Sequence, residues 1–116
     1  MRYILGIDQS TQGTKAALFD ETGRVAAEGR RKHRQIVTAE GYIEHDPAEI
    51  MTQAAAAVRD ALESGGIAPG SVLAIGLCDQ RETVAAWDRR TGKSLTNAVV
   101  WQLSLIHISE PTRPRL

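Results

Sequence analysis

Along the chain, short apolar runs alternate with turn-rich polar breaks, and one longer stretch has helical spacing. Tyr3 to Ile7 and Thr14 to Phe19 are apolar runs containing aromatic and branched residues, which predicts two buried strands. Asp8, Gln9, Ser10, Thr11, Gln12 and Gly13 separate them as a polar turn. Asp20-Glu21-Thr22-Gly23 is a further turn, so Arg24 to Gly29 is expected to return beside the second strand as a third.

The helical stretch follows Gly41-Tyr42-Ile43-Glu44-His45-Asp46-Pro47. Asp46 suits an N-cap, Pro47 suits the first helical position, and Glu49 stands where a capping-box carboxylate reaches back. Ile50, Ala54, Ala57, Val58, Ala61 and Leu62 recur on one face, and Gly65-Gly66 supplies a stop, which predicts a helix over about residues 47–64. The small alanines on that face allow close packing on a sheet. His45 reads as a packing or hydrogen-bonding residue ahead of the cap. Val72 to Cys78 is expected to be a strand buried on both faces, with Cys78 a small buried thiol. Val84 to Trp87 and Asn97 to Trp101 are expected as strands on either side of a turn at Asp88 to Lys93. Three strands, a helix and more strands imply an α/β fold, a mixed sheet with one clear helix on one face.

Composition narrows the function. The chain has 116 residues, 42% of them hydrophobic, enough for one small core. Its 14 basic and 14 acidic side chains cancel, so bulk charge gives no footprint for nucleic acid or an anionic membrane. The run Arg30, Arg31, Lys32, His33 and Arg34 lacks interleaved aromatics and reads as a solvated strand edge that discourages further pairing. The one cysteine excludes an internal disulfide. With no membrane-length apolar stretch and no signal-peptide pattern after Met1, a cytoplasmic protein is expected.

The turn between the first two strands carries the candidate chemistry. Small hydroxyl residues around a Gly expose consecutive backbone N–H groups, and an acid at the end of the preceding strand can hold a metal-bound water. This is how a phosphate is clamped, although the same residues also make an ordinary hairpin, and neither a Walker A loop nor Gly-x-Gly-x-x-Gly is present.

Tyr3 to Asp20 resembles the first phosphate hairpin of the superfamily of actin, heat-shock ATPases and sugar kinases, with Ser10 in place of the usual Gly. Together with Gly41 to Pro47, Asp79-Gln80-Arg81-Glu82-Thr83 and Asn97-Ala98-Val99-Val100-Trp101-Gln102, it resembles the FGGY carbohydrate kinases, and within them the glycerol kinases, from Tyr3 to Gln102. The resemblance implies the N-terminal part of an actin-like/ribonuclease H-like ATPase domain that uses ATP and Mg²⁺ to phosphorylate a small polyol. It places Asp8, Thr11, Gln12, Gly13 and Lys15 at the nucleotide phosphates, with Asp8 reaching the metal through water. Arg81 and Glu82 would hydrogen-bond the polyol hydroxyls, and Trp101 would cover its C–H face. That suits the chemistry, since a guanidinium donates, a carboxylate accepts, and an indole packs on carbon. Taken alone, Arg81 and Glu82 also suit a surface ion pair and Trp101 a core aromatic.

Gln12 and Gly13 stand where glycerol kinases commonly carry Thr and Ser, and Lys15 where Arg is common, which keeps a charge without the bidentate fork. Ser10 to Lys15 is closer to other sugar kinases of the family, so a xylulokinase-like or gluconokinase-like activity is the rival reading. An actin-like nucleotide switch without an acceptor is the other. The family's catalytic base and adenine site would lie beyond Gln102, so no catalytic residue is expected here and this chain should not turn over. Leu103 to Leu116 resembles a translated sequencing adapter, giving an expected division into a partial kinase domain, residues 1–102, and a non-native tail, residues 103–116. The full-length parent is expected to be a possible homo-oligomer.

Overall fold

A computed structural model of the chain describes residues 1–80 and 83–100. The elements are β1 (Tyr3–Gln9), β2 (Gly13–Phe19), β3 (Val25–Lys32), β4 (Ile36–Val37), β5 (Ile43–His45), α1 (Pro47–Gly65), a 3₁₀ turn (Pro69–Ser71), β6 (Val72–Cys78) and β7 (Ala98–Val99). They form two compact units, residues 1–33 with 50–80, and residues 34–49 with the chain from residue 81.

The first unit is a four-stranded mixed sheet in the order β3-β2-β1-β6. β1, β2 and β3 make the expected antiparallel meander, and β6 returns parallel to β1. Alternation along β2 sends Thr14, Ala16 and Leu18 into the interior, where Ala16 and Leu18 join Leu5, Ala27, Ile67 and the α1 residues Ala57 and Ala61. Complete burial of Leu18 contributes roughly 1.5–3 kcal/mol. The alanine face brings the helix unusually near the sheet. A Cβ built on Gly29 would lie 2.1 Å from the Ala57 carbonyl oxygen, so a strand residue without a side chain is required there.

Both ends of α1 follow from local sequence. The Asp46 carboxylate accepts the Ala48 N–H at 3.0 Å, as an N-cap should. At the other end Gly66 takes φ 61°, its N–H reaches Glu63 O, and the Ile67 N–H reaches Leu62 O. That paired arrangement is a Schellman ending, and Ile67 then turns back into the core.

The second unit holds a three-stranded antiparallel sheet in the order β4-β5-β7. Val84 and Val99 exchange backbone hydrogen bonds of 2.8 and 2.9 Å. His45 is fully buried with its Nε2 2.8 Å from Gln35 Oε1. Glu49 accepts from both the backbone N–H and the Nε–H of Arg34, at 2.9 and 2.8 Å, and this pairing raises the Arg34 guanidinium above its ordinary pKa.

Several expectations need correction. β6 forms as expected but is not buried, since Leu73, Ile75 and Leu77 are all more than 60% exposed. Among the described residues it is an edge strand paired only with β1, and α1 packs over the meander instead. Cys78 is accordingly exposed rather than buried. Val84 to Trp87 forms isolated bridges, Val84 to Val99 and Trp87 to Ser94, rather than a strand. The final strand is shorter than expected at Ala98–Val99, and Trp101 lies outside the described residues. β4 and β5, neither of them anticipated, are too short to show a period.

Candidate phosphate-binding site

The β1–β2 turn closes on itself. Ser10 donates both its backbone N–H and its hydroxyl to Gly13 O, at 2.8 and 3.0 Å, and its Oγ accepts the Gln12 N–H. The Ser in place of Gly therefore ties the turn together. Gly13 is required for a separate reason, because a Cβ there would meet Arg31 O at 2.3 Å. The turn is thus held hard against β3.

Gln9 fixes the turn from below. Its Oε1 accepts the Thr14 hydroxyl, and its Nε2 donates to Ser10 O at 2.8 Å and to Gln80 Oε1 at 3.1 Å. Thr14 is buried and Gln9 half-buried, so these bonds form away from competing water.

Beside the turn opens a cleft of about 380 Å³, lined by Asp8, Ser10, Gln12, Gly13, Thr14, Lys15, Arg30, Arg31 and Lys32. Of the nucleotide residues expected from sequence, Asp8, Gln12, Gly13 and Lys15 meet here, while Thr11 belongs to the turn but not to the lining. The strand register explains the convergence: Asp8 is opposite Lys15, and Lys15 is opposite Arg30. Glu28 holds the Lys15 ammonium at 3.3 Å and stands 4.0 Å from Arg30. Arg31 is turned to the helix, where its Nε and Nη2 donate to the two Asp60 oxygens at 2.7 and 3.1 Å. That fork raises the Arg31 pKa and holds the Asp60 carboxyl below its ordinary value.

Sequence reading missed Ser10, Thr14 and the basic residues of β3 as members of the cleft. Period-2 alternation carried from Gly29 through Lys32 would have placed Arg30 and Lys32 on one face, and the meander would have brought that face to the turn. Arg81 and Glu82, expected at a polyol, lie outside the described residues, as does Trp101. Among the described residues no cluster of three or more His, Cys, Asp or Glu could hold a metal ion. Asp8 is the acidic side chain in the cleft, which suits an ion held mainly by phosphate and water.

A mixed sheet with a polar hairpin turn beside a cationic cleft, and a helix on the opposite face, is the beginning of an actin-like/ribonuclease H-like ATPase domain. Residues 3–104 match the FGGY family of carbohydrate kinases, N-terminal domain, and the chain belongs to that family. It is 46% identical over 101 residues to a glycerol kinase of Methylobacterium radiotolerans, covering 87% of this chain and 20% of that protein. Among solved structures, the Plasmodium falciparum glycerol kinase with ADP matches with TM-score 0.74 and 37% identity, over 97% of this chain and 24% of that one. The gluconate kinase of Lactobacillus acidophilus matches with TM-score 0.77 and 26% identity, over 89% and 20%. The chain therefore spans about a fifth of the length of the curated relatives it matches.

Proposed function

We propose that the chain is the phosphate-binding and acceptor-binding beginning of an ATP-dependent polyol kinase whose acceptor is glycerol. The observation that carries this reading is the meeting of Asp8, Gln12, Gly13 and Lys15 in one cleft, in a chain whose curated relatives are named glycerol kinases. A cleft lined by cations and by a Ser-tied turn fits an anionic group. ATP bound there supplies the phosphoryl group, and Mg²⁺ neutralises its charge.

The remaining work belongs to the chain's own residues. Lys15, steadied by Glu28, places a positive charge beside the phosphates without the directional fork of an arginine. Thr11, Gln12 and Gly13 would present the turn to them, and Asp8 would hold the metal ion through water. Arg81 donates to polyol oxygens, Glu82 accepts from polyol hydroxyls, and Trp101 covers the carbon chain. Residues 1–102 form the partial domain and residues 103–116 a non-native tail; the family match covers residues 3–104. The base that takes the hydroxyl proton and the adenine pocket belong to the part of the protein after residue 102. A cytoplasmic location is proposed with the function, and no described helix is long and apolar enough to cross a membrane.

The test is to amplify the source DNA across the Gln102 junction, express the longer reading frame, and measure ADP formation with glycerol, xylulose and gluconate. Glycerol-dependent ADP formation by the longer protein, with none from the 116-residue chain, is the expected result. Dependence on xylulose or gluconate would move the acceptor within the family, as the match to gluconate kinase allows. ADP formation indifferent to every polyol would favour a nucleotide switch.

A further inference from the structure

We infer that β3 supplies a second bank of cations to the hairpin cleft, Arg30 and Lys32, and that this bank binds the outer phosphoryl groups of a polyphosphate chain. The inference rests on the phosphate-binding reading of the turn and extends it to the size of the anion. Arg30 lies opposite Lys15 in the β2–β3 register, and Lys32 lies opposite Gly13. Alternation puts Arg30 and Lys32 on one face of β3 and turns Arg31 to the other, where Asp60 engages it in a bidentate pair. The close approach at Gly13, where a Cβ would strike Arg31 O at 2.3 Å, fixes β3 alongside the turn. Both cations line the cleft with Lys15.

Their charge is available to a ligand. Lys32 makes no ion pair among the described residues. Arg30 has only a 4.0 Å approach to Glu28, a carboxylate already 3.3 Å from Lys15, and its side chain is 69% exposed. Adjacent strands lie about 4.8 Å apart, so Lys15 and Arg30 form a short row of charge across two strands, with Lys32 further along the same face. A single phosphate at the turn can meet Lys15, and a chain of phosphates can reach on from it to Arg30 and Lys32 along the same face.

Tripolyphosphate and orthophosphate should be titrated into the full 116-residue chain at low salt and without divalent cations, with amide chemical shifts as the readout. The chain should bind tripolyphosphate about tenfold or more tightly than orthophosphate. The double variant R30Q/K32Q should lose about five- to tenfold in tripolyphosphate affinity and stay within about twofold for orthophosphate. Lys15→Gln should weaken both anions. Arg24→Gln, an exposed arginine at the far end of β3 and outside the cleft, is the control for undirected attraction. Unchanged tripolyphosphate binding by R30Q/K32Q with weakened binding by Lys15→Gln would overturn the second bank and leave the turn's role standing. Failure of Lys15→Gln to weaken either anion would overturn both, and an equal loss in Arg24→Gln would reduce the β3 cations to undirected surface charge.

Discussion

Gln9 at the end of β1 donates a hydrogen bond of 3.1 Å to Gln80, the residue just before Arg81 and Glu82 in the chain. The same side chain accepts the Thr14 hydroxyl and donates to Ser10 O, so one amide ties the β1–β2 turn to the chain just after β6. Gln9→Ala would remove the acceptor of the buried Thr14 hydroxyl and one donor to Gln80 Oε1. A loss of about 1–3 kcal/mol is expected in chemical denaturation, with faster amide exchange at Thr14 and Gln80 than at Leu62 in the helix. Uniform acceleration across the unit would show that Gln9 acts only through global stability.

How much of this could be read from the chain depends on the range of the interaction. The meander and α1 were legible because their signals are local: apolar runs, the Asp20 to Gly23 turn, the Asp46 cap and the Gly65-Gly66 stop. β4 and β5 were not, because strands of two or three residues exist only through their partners, and β7 was expected in place but longer than the Ala98–Val99 pair that forms. The same holds in the site. Lys15 could be named from the resemblance of the first hairpin to the family's, but the nearness of Arg30 and Lys32 is a matter of register between strands. Gln9 looked like one more polar turn residue, and its three bonds depend on Thr14 and on Gln80 far along the chain.

Gly29 tests the helix–sheet contact. Its Cβ would meet Ala57 O at 2.1 Å and Ala61 N at 2.9 Å, both backbone atoms that cannot move without shifting the helix. Gly29→Ala should cost about 2–4 kcal/mol or unfold the unit. At Gly23 the same substitution meets nothing within 4 Å and costs only the left-handed conformation at φ 85°, about 1 kcal/mol. Thermal melts of the two variants should differ in that order. Equal melting points would mean that α1 does not press on β3.

Acid titration should expose the Arg31–Asp60 fork. The Asp60 carboxyl is held below its ordinary value first by its hydrogen bond from Arg31, so the folded state binds that proton less readily than the unfolded one. The stabilisation is therefore complete above about pH 4 to 5 and is lost as the pH falls through the depressed folded value. Denaturation midpoints of wild type and Asp60→Asn, measured from pH 7 down to 2, should differ most near neutrality and converge in acid. Asp20, depressed chiefly by the Thr22 hydroxyl and then by the backbone N–H groups of Thr22 and Arg24, should follow the same sign in Asp20→Asn. Both carboxylates lie at the surface, the Asp60 side chain 37% exposed, so each difference should be small, and a difference growing toward low pH would contradict the assignment.

Cys78 reports on what covers β6. A seven-residue apolar strand paired, among the described residues, only with β1 and carrying Leu73, Ile75 and Leu77 into solvent is a sheet edge that invites another strand. Relatives about five times longer have the chain to cover it, and the proposed function requires that the longer protein do so. The thiol at the end of the strand is exposed, so a maleimide should label it in the native 116-residue chain within a few-fold of its rate in denaturant. In the longer protein, labelling should slow by on the order of a hundredfold as added structure packs over β6. Slow labelling of the 116-residue chain itself, reversed by dilution, would mean that copies of the chain already pair through this edge. Fast labelling in both proteins would mean that β6 stays an open edge in the complete fold, and the cover proposed for it would have to be withdrawn.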